Sequence, residues 1–192
     1  METSEDVVQN VAQDVVQLLT GLITETGFEA HGCCPASALR IVPEVRDMCA
    51  EDKCNSFGKS WSCPPACGTL DDFEALFRSY GQCIVFQTVY PLEDEFDIEA
   101  MFAANRLHEQ RFHELAAKAN ASLFDIALFS AGTCTLCGRG MCTYPDAPCC
   151  HPELMRPSME AAGLWVSEVC EAAHIPYNHG SLTMTYTSCA LV

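Results

Sequence analysis

The sequence predicts an α/β sandwich of the α+β type, with helices flanking a small mixed β-sheet and two cysteine-rich, cluster-binding loops at one end. Three observations lead to it. Apolar residues recur at helical spacing in several long stretches. Runs rich in β-branched and aromatic residues lie between those stretches. Two segments dense in Gly, Pro and Cys interrupt the pattern and have the composition of loops. With 192 residues, the chain is long enough to bury a sizeable core.

Taken in order, residues 4–24 place Val7, Val8, Val11, Val15, Leu18, Leu19 and Leu22 on one helix face. Thr3 and Asp6 form a capping-box pattern, and Gly27 supplies a stop. This helix is expected to dominate an N-terminal unit, residues 1–30, ahead of a single cysteine-rich metal-binding α/β domain over 31–192. Residues 38–45 read as a short strand, and 48–68 as the first cysteine loop. Thr69 caps a helix whose Leu70, Phe73, Leu76 and Phe77 form a stripe closed by Gly81. The run QCIVFQTVY, 82–90, reads as a central strand. A long helix over 97–120 has Asp97 as N-cap and Ile98, Met101, Phe102, Leu115 and Ala119 as anchors. Residues 122–130 form a strand running into the second cysteine loop, 132–150. Pro157 suits the first turn of a helix that Gly163 breaks and residues 166–174 resume. A strand over 182–191 closes the chain. No internal repeat of 20 to 50 residues is visible.

Charge excludes several functions. Twenty-six acidic and 10 basic residues give a net charge of -16, with no basic cluster to neutralise nucleic-acid phosphates. An anionic membrane surface would repel the chain. No apolar run approaches the ~18 residues of a membrane span. The N-terminus carries acids where a secretory signal carries a basic region, so a cytoplasmic location is expected. Thiols stay reduced there, which makes the 14 cysteines candidates for metal ligands or redox catalysts before disulfides.

Six cysteines fall within GTCTLCGRGMCTYPDAPCC. Cys134, Cys137, Cys142 and Cys149 put four thiolates on one short Gly- and Pro-rich loop that can wrap a compact centre and give N–H groups to its sulfurs. A [4Fe-4S] cubane needs this arrangement, whereas zinc sites usually take two separated ligand pairs. Zinc and redox thiols remain the alternatives, the latter because Cys134 and Cys137 follow a strand. The first loop, MCAEDKCNSFGKSWSCPPACGTL, spaces Cys49, Cys54, Cys63 and Cys67 irregularly. Four ligands would close a second cubane, and three would leave one iron open to a substrate.

The strings FGKSWSCPPACGTLDDFE, VFQTVYPLEDEFDIE, CTLCGRGMCTYPDAPCCHPELMRPSMEAAGL and YNHGSLTMTYTSCALV resemble a family of predicted metal-binding proteins, domain of unknown function 2284. The resemblance covers roughly residues 38–192. It implies cysteine-bound metal and occurrence in anaerobic bacteria and archaea, without a settled reaction. By position, Cys49, Cys54 and Cys63 match the family's first cysteine group, and Cys134, Cys137, Cys142 and Cys149 its second. Cys150 departs from it, standing where the family has a basic residue before His-Pro, and Cys67 is not a constant feature, so ligation by these two stays open.

Around the cysteines, His151 is placed to donate to a cluster sulfur or cap a helix. Lys59 and Arg139, lone cations inside the loops, either balance cluster charge or are ordinary surface charges. Trp61 and Tyr144 either shield clusters or pack in a core. His108 and His113 are five apart, so they cannot form an HExxH zinc site and read as solvated helix residues. Cys83, Cys170 and Cys189 read as buried apolar side chains, and the vicinal Cys33 and Cys34 as packed or disordered thiols. No phosphate loop, nucleotide fingerprint or nucleophile elbow occurs. The leading expectation is an iron–sulfur protein with two [4Fe-4S] clusters, passing single electrons to a redox partner protein. The alternatives are an enzyme using an open iron, and a zinc- or nickel-trafficking protein.

Overall fold

Apolar side chains at the consecutive positions Cys83, Ile84, Val85 and Phe86 can all be buried only if both faces of their strand are covered. The computed structural model meets that demand. It describes the backbone of residues 4–122, 125–138 and 140–192, and side chains from residue 13 within those spans. In chain order the elements are α1 (Ser4–Glu25), β1 (Ala30–Pro35), α2 (Pro43–Ala50), α3 (Leu70–Arg78), β2 (Gln82–Pro91), α4 (Ile98–Ala121), β3 (Ala127–Phe129), α5 (Val166–Ala172) and β4 (Thr183–Leu191). The strands form one sheet in the order β1-β2-β4-β3.

Cys83 and Val85 point into a core with Phe73 and Phe77 of α3, Phe129 of β3 and Val169 of α5. Ile84 and Phe86 point the other way, onto Leu19 and Ile23 of α1 and Phe112, Leu115 and Ala119 of α4. The α+β sandwich of the sequence reading holds, and the sheet is antiparallel where a mixed one was expected. The chain returns each time to the end it left: Pro35 pairs with Gln82, and Pro91 with Thr183. Among the described residues, parallel pairing occurs only at the isolated bridge between Ser130 and Ser158.

Local chemistry explains most boundaries. Thr69 caps α3 through a capping box, its hydroxyl accepting the Asp72 N–H at 3.1 Å while the Asp72 carboxylate accepts the Thr69 N–H at 2.9 Å. Asp97 caps α4 by accepting the Ala100 N–H at 2.9 Å. Thr3 and the side chains of Val7, Val8 and Val11 lie outside the described residues, as do Leu123 and Phe124 of the predicted strand that shortens to β3.

Three readings change. Residues 38–45 are no strand, because Pro43 sits in the first turn of α2. The true first strand, AHGCCP, lacks β-branched residues and owes its place to packing: a Cβ on Gly32 would come within 2.1 Å of the Ala173 carbonyl oxygen. The helix expected from Pro157 is a set of turns, closed by Gly163 at φ +81°. On α4, Ile98 and Phe102 are exposed and the buried stripe is Ala104, His108, Phe112, Leu115 and Ala119. His108 is therefore no solvated residue. It is 1% exposed, with hydrogen bonds to the Thr88 hydroxyl at 3.0 Å and the Ser188 hydroxyl at 2.8 Å, and burial holds its pKa down to about 3 with the Arg111 charge assisting. Two hydroxyls facing α4 from the sheet need a polar partner, and His108 supplies it.

Four cysteines belong to the core. Cys34, Cys83 and Cys189 come from three adjacent strands, and Cys170 from α5, all at most 2% exposed. Hydrogen bonding among the thiols, Cys34 to Cys83 and Cys83 to Cys189, leads in pushing the Cys34 and Cys83 pKa values far up, and burial adds to it. Cys33 is exposed and meets the Gln82 side-chain oxygen at 3.3 Å.

Candidate metal centre

The first cysteine loop grows from the end of α2, where Arg46 and Cys49, three residues apart, share a helix face. The Arg46 guanidinium donates twice to the Gly68 carbonyl, at 3.1 and 3.2 Å, and lies over the Phe73 ring, which ties the loop's end back to its start. Asp52 and Asn55 turn the chain with φ of 51° and 57°. One Asp52 oxygen accepts the Phe57 N–H at 2.8 Å, and the other accepts the Lys59 ammonium at 2.8 Å. Lys59 also reaches the Asn55 side chain, so it braces this loop.

Cys49, Cys54 and Cys63 line one cavity of about 300 Å³, among Val45, Met48, Phe57, Pro64, Ala161 and Glu160. Cys67 is not on it. Its thiol faces the Ala161 carbonyl at 3.9 Å and packs against the core. Burial chiefly, then the charges of Glu160 and Cys54, push the Cys49 thiol up to about 11, against the Arg46 cation. Arg46 Nε is buried with no acceptor among the described residues. A thiolate-held cationic centre in this cavity fits both facts, since the metal would offset the anionic donors and the thiolates would balance the guanidinium.

The second loop leaves β3 at Ser130, whose N–H donates to the Pro157 carbonyl at 2.9 Å, and is pinned to α4 by the Thr135 hydroxyl donating to Glu109 at 3.1 Å. Cys134, Cys137, Cys142 and Cys149 line one narrow cavity together with Ser60 and Trp61 of the first loop, His151 and Met155. Burial works to raise the Cys142 pKa, but the N–H groups of Tyr144, Trp61 and Thr143 and the Ser60 hydroxyl outweigh it and hold the thiol below its ordinary value. Four thiols with hydrogen-bond donors already aimed at one sulfur are a donor set that fits an anionic cluster. Burial raises Cys134, opposed by the Leu136 N–H. Burial also leads in raising Cys137, with the neighbouring Cys150 thiol adding to it. Cys150 itself is exposed and hydrogen-bonds Cys137 without lining the cavity.

The two loops interlock. Ser62, 1% exposed, accepts the Cys134 N–H at 3.0 Å, and the Cys63 thiol meets the Thr133 hydroxyl at 3.5 Å. Trp61 donates to the Ala147 carbonyl at 3.1 Å and packs edge-on against Tyr144. One peptide link, Thr133 to Cys134, therefore separates a residue lining the first cavity from one lining the second.

Of the residues singled out around the cysteines, His151 lines the second cavity, and its N–H donates to the Cys149 sulfur at 3.4 Å. Arg139 lies outside the described residues. Sequence reasoning missed Arg46, which its spacing from Cys49 could have shown, and Ser60, Ser62, Thr133 and Glu160, for which no local pattern existed. Among the described residues, no three His, Cys, Asp or Glu side chains converge to hold a single metal ion. No helix among them is long and apolar enough to cross a membrane.

A family model described as "Predicted metal-binding protein (DUF2284)" matches residues 33–192. No curated protein matches the sequence. Among solved structures, epoxyqueuosine reductase from Bacillus subtilis aligns over 93% of this chain and 45% of its own, at 12% identity and a TM-score of 0.43. The chain thus spans less than half of that protein's length, and a likeness this loose bears no weight.

Proposed function

We propose, from the premise that the chain belongs to the DUF2284 family of predicted metal-binding proteins, that it carries two [4Fe-4S] clusters and exchanges single electrons with a partner protein in anaerobic metabolism. The observation that carries this reading is the gathering of Cys134, Cys137, Cys142 and Cys149 on one cavity, with N–H and hydroxyl groups trained on Cys142. Four thiols on one cavity wall, with hydrogen-bond donors trained on a sulfur, suit a polynuclear core better than a lone zinc ion, whose ligands usually come as two separated pairs. When bound, such clusters supply a one-electron couple whose potential follows hydrogen bonding and burial. The chain's part is to hold the sulfurs, to donate N–H groups to them and to keep the two centres apart by little more than Cys63, Thr133 and Cys134.

A second reading has its own support. The first cavity presents three thiols, with Cys67 turned to the Ala161 carbonyl, and its other walls are mainly apolar. That arrangement suits an enzyme in which one iron is left for a small ligand.

Anaerobic purification followed by iron, zinc and acid-labile sulfide analysis tests both. About eight iron and eight sulfide per chain, with broad absorbance near ~400 nm, are expected. One or two zinc ions without sulfide would overturn the iron–sulfur reading in favour of zinc trafficking, and nickel on the same thiolates would do so equally.

A further inference from the structure

We propose that Glu160 is the fourth donor of the first centre, a carboxylate oxygen beside the thiolates of Cys49, Cys54 and Cys63. The inference rests on the reading that this cavity holds a cluster, and it names what completes it.

Three observations converge. Glu160 lines the same cavity as the three thiols, close enough to Cys49 for its charge to bear on that sulfur. Its carboxylate is half-buried and has no hydrogen-bond or ion-pair partner among the described residues, so its lone pairs are free for a ligand in the cavity. The remaining polar side chains on the cavity wall are already engaged: Lys53 has no lone pair to give and pairs with Glu51, Thr133 meets Cys63, and Ser158 accepts the Ala161 N–H.

The backbone that carries Glu160 is held firmly. Met159, Ala161 and Ala162 on either side are at most 2% exposed, the Gly163 N–H donates to the Glu160 carbonyl at 2.9 Å, and the Ser158 hydroxyl accepts the Ala161 N–H at 3.1 Å. Cys67, whose ligation the spacing left open, faces the Ala161 carbonyl of the same turn at 3.9 Å. A carboxylate restores the negative charge that a fourth thiolate would bring, but it is a harder donor and exchanges more readily at iron. Glu160 also lines a second, adjoining cavity with Trp165 and Tyr177, so the exchangeable position faces a route from solvent.

The test compares anaerobically reconstituted wild type, Cys49→Ala, Glu160→Gln, Glu160→Cys and Cys67→Ser by iron content and by electron paramagnetic resonance, with cyanide as the probe. Glu160→Gln is expected to keep its iron, to change the resonance of one cluster and to bind cyanide at least about tenfold more tightly than wild type. Glu160→Cys should make that cluster unresponsive to cyanide, and Cys67→Ser should match wild type. A Glu160→Gln protein with an unchanged resonance and cyanide response, or a Cys67→Ser protein altered in both, would overturn the inference while the cluster itself stood. Full iron retention in Cys49→Ala would instead overturn the first centre, and the inference with it.

Discussion

The two cysteine loops support their sulfurs in opposite ways. The second trains donors on three of its four thiols: the N–H groups of Tyr144, Trp61 and Thr143 and the Ser60 hydroxyl act on Cys142, the Leu136 N–H acts on Cys134, and the His151 N–H meets Cys149. The first offers three thiols in a wider, mostly apolar cavity, with the Arg46 guanidinium acting on Cys49 and, on its wall, a carboxylate that has no hydrogen-bond or ion-pair partner among the described residues. Donors around sulfur stabilise charge in place, while apolar walls leave room for a guest. On the proposed reading, the difference separates a centre that retains its cluster from one that something can approach.

The heaviest blow to that contrast is Cys134→Ala. It should abolish about half of the iron and lower thermal stability measurably, because metal affinity from a loop of ligands is also folding free energy. Full iron stoichiometry in this variant would show that the second loop is not a centre at all. Next comes acid. His108 is neutral when folded and takes a proton more readily once unfolded, so stability should rise with pH between about 3 and 6.5 and be lost as pH falls through that window. Melting temperature against pH, measured for wild type and His108→Gln, checks this. A slope that survives the substitution would place the acid sensitivity elsewhere than beneath α4, as at the capping carboxylates Asp72 and Asp97, whose pKa values are held down by the hydrogen bonds they accept.

Ser62→Ala probes the seam between the loops. It leaves the Cys134 N–H without its acceptor in a buried setting, which should cost about 1–2 kcal/mol by denaturant unfolding and shift the potential of the second cluster more than that of the first. An equal shift in both potentials would mean that the seam serves the two centres alike. Lys59→Ala should do least. The pair with Asp52 is exposed, so at most a slight loss of stability is expected, with both cluster spectra unchanged. A change in the first spectrum would restore Lys59 to the site.

How much of this could be read beforehand depended on distance along the chain. The helix caps at Thr69 and Asp97 and the central strand QCIVFQTVY are local signals, and the structure keeps them. The strand AHGCCP carries no such signal, since it exists because its glycine admits the Ala173 carbonyl. The role of His108 was hidden for the same reason: its partners Thr88 and Ser188 lie 20 and 80 residues away, and only the folded sheet sets them opposite α4. At the site, cysteine spacing was enough to sort the thiols into two groups. It could not show that Cys67 turns inward, or that residues 60–62 and 160 complete cavities begun elsewhere, because those meetings are made by the loops docking on each other.

The thiols stacked across β1, β2 and β4 have a consequence for ageing. Cys34 and Cys83 hold their protons tightly, and with Cys189 they are shut off from solvent, so oxidants that attack exposed thiolates meet the loops and Cys33 first. Damage by air is thereby directed to the loops and Cys33 and away from the middle of the sheet. On the proposed reading the ligand thiols take the damage while the thiols of the sheet beneath them are spared, and exposure to oxygen becomes a matter of repair rather than replacement.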